Sequence, residues 1–255
     1  MKWVKKPGDI MRGLEKRIAV VTGAASGIGR AIANRFAEEG VDVLGIDLKA
    51  GDMPENRSLA HHLQVDLTAM NCANLVLDLL STYTKKCDIL VNAAGVSEFG
   101  LFDDEDSSVA DRTMAVNLEA VVRITRALLP LLRQSNQGRI INIGSICSEY
   151  ASPGLSAYVV SKHAVLGLTR ALASELGSEG ITVNCIQPGA ILTGITTPAF
   201  EADPSFEKHW VDKSALGRIG QPEDVAPLAC FLASEEARFI SGHGIYVDGG
   251  AMQQG

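Results

Sequence analysis

Seven short apolar runs punctuate the chain, and most stretches between them read as helices. The runs are "RIAVVTG" (17–23), "VDVLGID" (41–47), "HLQVDL" (62–67), "CDILVNAAG" (87–95), "GRIINIGS" (138–145), "ITVNCIQPG" (181–189) and "GHGIYVDGG" (242–250). Each has strand length and β-branched content. Helical patterns cover 27–40, 106–134, the Tyr158 region to 178, and a stretch from Pro222 onward. Strands that are apolar nearly throughout must be buried on both faces. Alternation with helices makes such a sheet parallel and covers both its sides. The expectation is an α/β fold with a seven-stranded, mostly parallel sheet flanked by helices. No repeat, low-complexity tract or linker divides residues 14–255, which read as a single domain.

The connection between Asp47 and Asp66 contains Gly51, Pro54 and Asn56 within 18 intervening residues. A parallel crossover needs about a dozen residues. The connection can therefore close, and an abbreviated or irregular segment is expected in it. Residues 1–13, "MKWVKKPGDIMRG", have no apolar h-region and precede the first regular pattern. They read as a flexible arm, with Met11 as an alternative start.

Charge and cysteine content remove several function classes. The formal net charge of −7 argues against a nucleic-acid or anionic-membrane partner. No apolar run approaches the roughly 20 residues of a membrane helix. Cys72, Cys87, Cys147, Cys185 and Cys230 form no Cys-x-x-Cys pair, so neither a zinc site nor a disulfide framework is read. Reduced thiols fit a cytoplasmic protein. His209 has no second ligand at useful spacing, so no metal is expected there.

"TGAASGIG" (22–29) joins the first strand to the first helix. Gly23, Gly27 and Gly29 permit conformations and approaches that a side chain would block. The helix start presents unpaired N–H groups and the positive end of its dipole, suited to a pyrophosphate. Placed after a strand and opening a helix, the turn points to dinucleotide binding and a doubly wound, Rossmann-type domain.

A second stretch, "SAYVVSKHAV" (156–165), opens an amphipathic helix. Tyr158, Val165, Thr169, Leu172 and Leu176 share a narrow arc, and Lys162 projects about 40° from Tyr158. A phenol and an ammonium therefore sit together beside an apolar stripe. A snorkelling lysine near a half-buried tyrosine is the commoner explanation for such a pair in isolation.

The wider pattern decides between the two. The Gly-x-x-x-Gly-x-Gly spacing, "NAAG" (92–95), Asn117 in "AVNLEAV", Ser145, and Tyr158-x-x-x-Lys162 occur in order. "PGAILT" (188–193), "GRIGQPEDVA" (217–226) and "VDGG" (247–250) follow them. From about residue 14 to 250 this resembles the short-chain dehydrogenase/reductase family of the classical type. One departure is Ala93, where the family motif carries a second asparagine. That change bears on local packing at the cofactor wall more than on chemistry.

The resemblance implies an oxidoreductase that interconverts a secondary alcohol and a ketone by hydride transfer. It makes Tyr158 the acid/base residue, Lys162 its neighbour and ribose ligand, and Ser145 the partner of the substrate oxygen. Asn117 would maintain a water-linked proton relay behind Lys162. An ammonium close to a phenol should lower the pKa from its usual value near 10. The implied cofactor contacts are Gly23, Ser26, Gly27, Ile28, Gly29, Asp47, Leu48, Asp66, Leu67, Asn92, Ala93, Ala94, Gly95, Tyr158, Lys162, Pro188, Gly189, Ile191 and Thr193. Asp47 ends the second strand, where a carboxylate accepts from ribose hydroxyls and repels a 2′-phosphate, so NAD is expected over NADP. A strand-end cap is the alternative role for Asp66.

The substrate side is expected from 96–100, 145–150 and a lid over about 190–215. Cys147, Tyr150 and Trp210 are its candidate contacts, beside Ser145 and Tyr158. Polar loops lean toward a small polyol, sugar-derived or hydroxy-acid substrate. One alternative is reduction of a 3-oxoacyl group on a carrier protein, for which Lys208, Lys213 and Arg218 would supply a basic patch. Another is a non-catalytic NAD-binding subunit with a redox-sensing or scaffold role. The resemblance also implies a homotetramer or a dimer.

Overall fold

The computed structural model describes residues 11–51, 61–103 and 106–253. Its strands are β1 Ile18–Thr22, β2 Asp42–Asp47, β3 His61–Gln64, β4 Ile89–Asn92, β5 Arg139–Ile143, β6 Thr182–Pro188 and β7 Gly244–Val247. They form one sheet in the order β3-β2-β1-β4-β5-β6-β7, and every pairing is parallel. The chain winds outward from β1 in one direction and from β4 in the other. A crevice therefore opens between the C-terminal ends of these two strands, the switch point where such sheets bind ligands.

The helices are α1 Gly27–Glu38, α2 Cys72–Tyr83, α3 Ser107–Met114, α4 Ala120–Leu132, α5 Ser156–Leu176, α6 Thr197–Ala202, α7 Pro204–Lys213 and α8 Pro222–Ala233. Alternate strand residues feed two cores. Ala19, Val21, Ile89, Val91 and Ile141 join Ile32 and Phe36 of α1 and Val225 and Leu232 of α8. Val20, Leu44, Leu90 and Ile140 join Val76 and Leu80 of α2 and Ile124, Leu128 and Leu132 of α4. Burial on both faces is why the inner strands β1, β2, β4, β5 and β6 read as apolar runs, while the edge strands β3 and β7 are only partly buried.

Several boundaries differ from expectation. The third strand ends at Gln64, which leaves Asp66 and Leu67 in the following turn. The helix expected over 106–134 is interrupted by a π-helical turn at Ala115–Glu119, which carries Asn117. The pattern names no helix between the third and fourth strands, yet α2 forms there on Cys72, Val76 and Leu80. The middle of the connection between Asp47 and Asp66 lies outside the described residues, as do residues 1–10. Two residues at the end of the expected arm make hydrogen bonds. Met11 N donates to Glu39 Oε2 at 2.8 Å, and Glu235 N donates to the Arg12 carbonyl at 3.0 Å. No described helix is long and apolar enough to cross a membrane.

Candidate active site

A cleft of about 420 Å³ lies over the switch point. Its walls contain every residue expected to touch cofactor except Asn92. Asn92 is buried within the sheet, where Nδ2 donates to Thr125 Oγ1 at 3.1 Å and to Asn142 Oδ1 at 2.8 Å. Its side chain braces β4 and is not among the cleft-wall residues. Ala93, which replaces the second asparagine, does line the cleft.

One end of the cleft is a cradle of backbone. Gly23 adopts φ +69°, and a Cβ there would lie 2.8 Å from Ala94 N. A Cβ on Gly29 would lie 2.7 Å from the carbonyl carbon of Gly23. Neither position accepts a side chain without moving the backbone. Ser26 makes no side-chain cap to α1, so the first N–H groups of that helix keep no partner from its hydroxyl. This is the geometry of an anion cradle. Thr22, missed from the sequence, closes its floor: Oγ1 accepts from Ala93 N at 3.0 Å and Ala94 N at 3.1 Å.

Asp47 stands beside this loop. Oδ2 accepts from Ala25 N and Oδ1 from Lys49 N, each at 3.0 Å. A carboxylate oxygen can accept more than one hydrogen bond, so the group retains capacity for ribose hydroxyls. Asp66 Oδ1 accepts from Thr68 N at 2.8 Å and Thr68 Oγ1 at 2.7 Å, closing a turn, and the residue also lines the cleft. The side chain thus caps the turn after β3 from a position on the cleft wall. These features fit the diphosphate and adenosine portions of a nicotinamide dinucleotide.

At the other end of the cleft lie Ser145, Tyr158 and Lys162. Ser145 follows β5 and caps a short 3₁₀ turn; its Oγ accepts from Cys147 N at 3.1 Å, and Ser145 N donates to Ser148 Oγ at 3.3 Å. The turn fixes the rotamer of Ser145, whose hydroxyl is hydrogen-bonded with that of Tyr158. Lys162 is buried one helical turn beyond Tyr158. Its Nζ donates to the Ile143 carbonyl at 2.9 Å and lies 5.5 Å from the Tyr158 ring centroid.

The electrostatics differ from the sequence expectation. Burial pushes the Tyr158 phenol up to about 12, against a smaller lowering by its bond with Ser145. Burial also draws Lys162 down to about 8. The ammonium does not lower the tyrosine here, because desolvation dominates and Lys162 is anchored to Ile143. At neutral pH the pair is a phenol beside an ammonium.

Asn117 is buried, and its side chain is held by the loop after β4 and by α5. Oδ1 accepts from Val96 N at 2.9 Å; Nδ2 donates to Val96 O at 2.9 Å and to Ser161 Oγ at 3.1 Å. Cys147, Tyr150 and Trp210 stand outside the cleft wall. Cys147 is buried, with its side chain bonded to Ser145. Tyr150 and Trp210 instead sandwich Lys213, whose Nζ lies 4.6 Å and 5.6 Å from the two ring centroids. The expected lid contains α6 and α7, and its first residues, Ile191, Thr193, Gly194, Ile195 and Thr196, form a cleft wall. Glu98 is paired with Arg112.

A glycine cradle at a parallel-sheet switch point, joined to a serine, tyrosine and lysine, defines an oxidoreductase of the dinucleotide-binding class. Comparison with known proteins gives its family. A family model described as enoyl-(acyl carrier protein) reductase matches residues 23–252. The 3-oxoacyl-[acyl-carrier-protein] reductase FabG of Thermotoga maritima is 33% identical over 247 residues, covering 94% of this chain and 99% of the relative. Among solved structures, the ligand-free aldohexose dehydrogenase of Thermoplasma acidophilum superposes with TM-score 0.88 at 31% identity, over 96% of this chain and 97% of the other. A gluconate 5-dehydrogenase of Burkholderia cenocepacia, in complex with NADP and tartrate, gives 0.86 at 28%, over 96% and 98%. The chain belongs to the short-chain dehydrogenase/reductase family and is an NAD(P)-dependent oxidoreductase.

Proposed function

We propose that the protein interconverts a secondary alcohol and a ketone, with NAD preferred, on a small polyol, sugar-derived or hydroxy-acid substrate. The observation that carries this reading is the convergence of Ser145, Tyr158 and Lys162 at one end of the cleft whose other end is the glycine cradle. The nicotinamide, when bound, supplies hydride exchange with the substrate carbon. The chain supplies the proton and the placement. As the phenol, its form at neutral pH, Tyr158 gives its proton to a ketone oxygen; as the phenolate it takes the proton of an alcohol. Ser145 donates to that same oxygen and stabilises charge developing on it. Lys162 keeps positive charge beside the phenol and offers donors to ribose hydroxyls.

Asp47 supports the NAD preference. A 2′-phosphate beside it would meet like charge, and Lys49 and Lys162 are the cations among the cleft-lining residues. Lys162 belongs to the Tyr158 end, so among the described cleft-lining residues Lys49 is the cation left to offset the repulsion.

Carrier-protein reduction is the second reading, favoured by the name of the Thermotoga relative. It asks for an exposed basic patch by the lid. Lys208 is paired with Asp212 and Arg218 with Asp224, while Lys213 lies on two aromatic faces. These engagements favour a small substrate. Reduced-cofactor formation should be followed across polyols, sugars, hydroxy acids and cyclic alcohols with NAD and NADP in parallel. A 3-oxoacyl carrier substrate is run in reverse. Turnover of a small alcohol with NAD supports the reading; turnover of the carrier substrate alone, with NADPH, rejects it.

A further inference from the structure

We infer that Ser161 is a positioning residue that holds the Tyr158 turn of α5 against Asn117, an inference that rests on the alcohol–ketone reading of the site. Ser161 is fully buried and does not line the cleft. Its hydroxyl donates to the Tyr158 carbonyl at 2.7 Å and accepts from Asn117 Nδ2 at 3.1 Å. Asn117 in turn clamps both backbone polar groups of Val96, a cleft-wall residue. One hydroxyl thus joins the helix that carries Tyr158 and Lys162 to the π-helical turn and to the loop after β4.

The bond to the Tyr158 carbonyl fixes the rotamer of Ser161, so that its oxygen faces Asn117 Nδ2. Helix α5 begins at Ser156 after Leu155, which makes no side-chain cap. The first turn of an uncapped helix is where fraying is least opposed. Tyr158 lies in that turn, and its hydroxyl must stay aligned with Ser145 for proton transfer. Misplacement of about 1 Å at a reacting group can cost two orders of magnitude in rate. The bond from Asn117 Nδ2 to Ser161 Oγ anchors that turn from the neighbouring π-helical turn, a direct means of preventing it.

Ser161→Ala tests the inference without threatening the helix, since alanine is the better helix former. Turnover number, substrate KM and NAD affinity are measured for wild type, Ser161→Ala, Asn117→Ala and the double variant. The expected result is a loss of about tenfold in kcat for Ser161→Ala, with NAD affinity unchanged. In the Asn117→Ala background the same change should cost less than about twofold, because the tie is already cut. An unchanged kcat in Ser161→Ala, or equal losses in both backgrounds, overturns the inference. An ultraviolet titration of the tyrosines, with Tyr158→Phe subtracted, gives a readout that needs no substrate. A loosened turn admits water to the phenol and should move its ionisation down by about one unit. If wild type turns over no alcohol or ketone, the functional reading fails and this titration alone decides: a shifted step upholds the positioning role, an unmoved one rejects it.

Discussion

Lys162 Nζ donates to the carbonyl of Ile143 at 2.9 Å, which ties α5 to the last residue of β5. Burial already costs the ammonium part of its proton affinity, as its lowered pKa records. Lys162→Met removes a charged hydrogen bond, worth about 1.5–3 kcal/mol, but also relieves that desolvation. The two effects oppose, so unfolding free energy should change by no more than about 1–2 kcal/mol. Turnover should fall by at least about 100-fold, as for loss of a participant in acid–base chemistry. Denaturant melts beside steady-state rates check the pair; an active Met variant sinks the assignment.

The phenol of Tyr158, raised to about 12, sets the sign of the pH dependence. Alcohol oxidation needs the phenolate, whose fraction grows with pH everywhere below that value. Between pH 6 and 8, kcat/KM for oxidation should therefore rise by about tenfold per unit. Ketone reduction needs the phenol and should stay flat over the same range. Tyr158→Phe should lose about 10²–10⁴-fold in kcat in both directions. Flat oxidation with a sloping reduction would falsify the assignment of Tyr158 as the proton carrier.

The inner strands were legible because both of their faces are buried, so Val20 and Val21 point into different cores yet read as one apolar run. The cradle and the Ser145, Tyr158 and Lys162 positions were legible because each lies in a local motif. Features built by distant pairing were not. α7 buries none of its residues, so no apolar stripe announces it, and its Lys213 meets Tyr150 only in three dimensions. The π-helical turn at Asn117 preserves the apolar rhythm on either side and leaves no trace in spacing. Ser161 is a small polar residue inside a helix, a type usually assigned to solvent, and only its zero exposure reveals the tie. The direction of the Tyr158 shift depends on burial, which residue type alone does not supply.

Asp47 should control the choice between the two dinucleotides. Two unit charges about 4 Å apart repel by about 4 kcal/mol at an effective dielectric of 20. Asp47→Asn removes the charge and keeps an oxygen to accept from Ala25 N, now at 3.0 Å. The ratio of kcat/KM for NADP over NAD should rise by at least about tenfold, equivalent to 1.4 kcal/mol. Added salt should narrow the difference between wild type and variant, since screening weakens the same repulsion. An unchanged ratio places the discrimination elsewhere.

Gly29 is the sharpest steric constraint in the cradle. It lies in α1 with the backbone of Gly23 directly against it, and an added Cβ would lie 2.7 Å from the Gly23 carbonyl carbon and 3.1 Å from the Thr22 carbonyl oxygen. Those atoms are backbone, so no rotamer change makes room. Either α1 shifts away from β1 or the turn opens. Alanine ordinarily gains about 1 kcal/mol over glycine within a helix, so a purely local view predicts that Gly29→Ala stabilises the protein. The contacts predict the reverse: overpacking a close-packed site costs about 1–3 kcal/mol. A displaced helix start also withdraws its N–H groups from the anion cradle. NAD affinity measured by titration should therefore fall by at least about tenfold, together with a lower melting temperature. The loss should not be matched at Gly167 of α5, where an added Cβ meets nothing within 4 Å. Gly167→Ala should raise the melting temperature through propensity alone. Stabilisation of both variants would mean that α1 tolerates the shift and that the cradle does not depend on this approach.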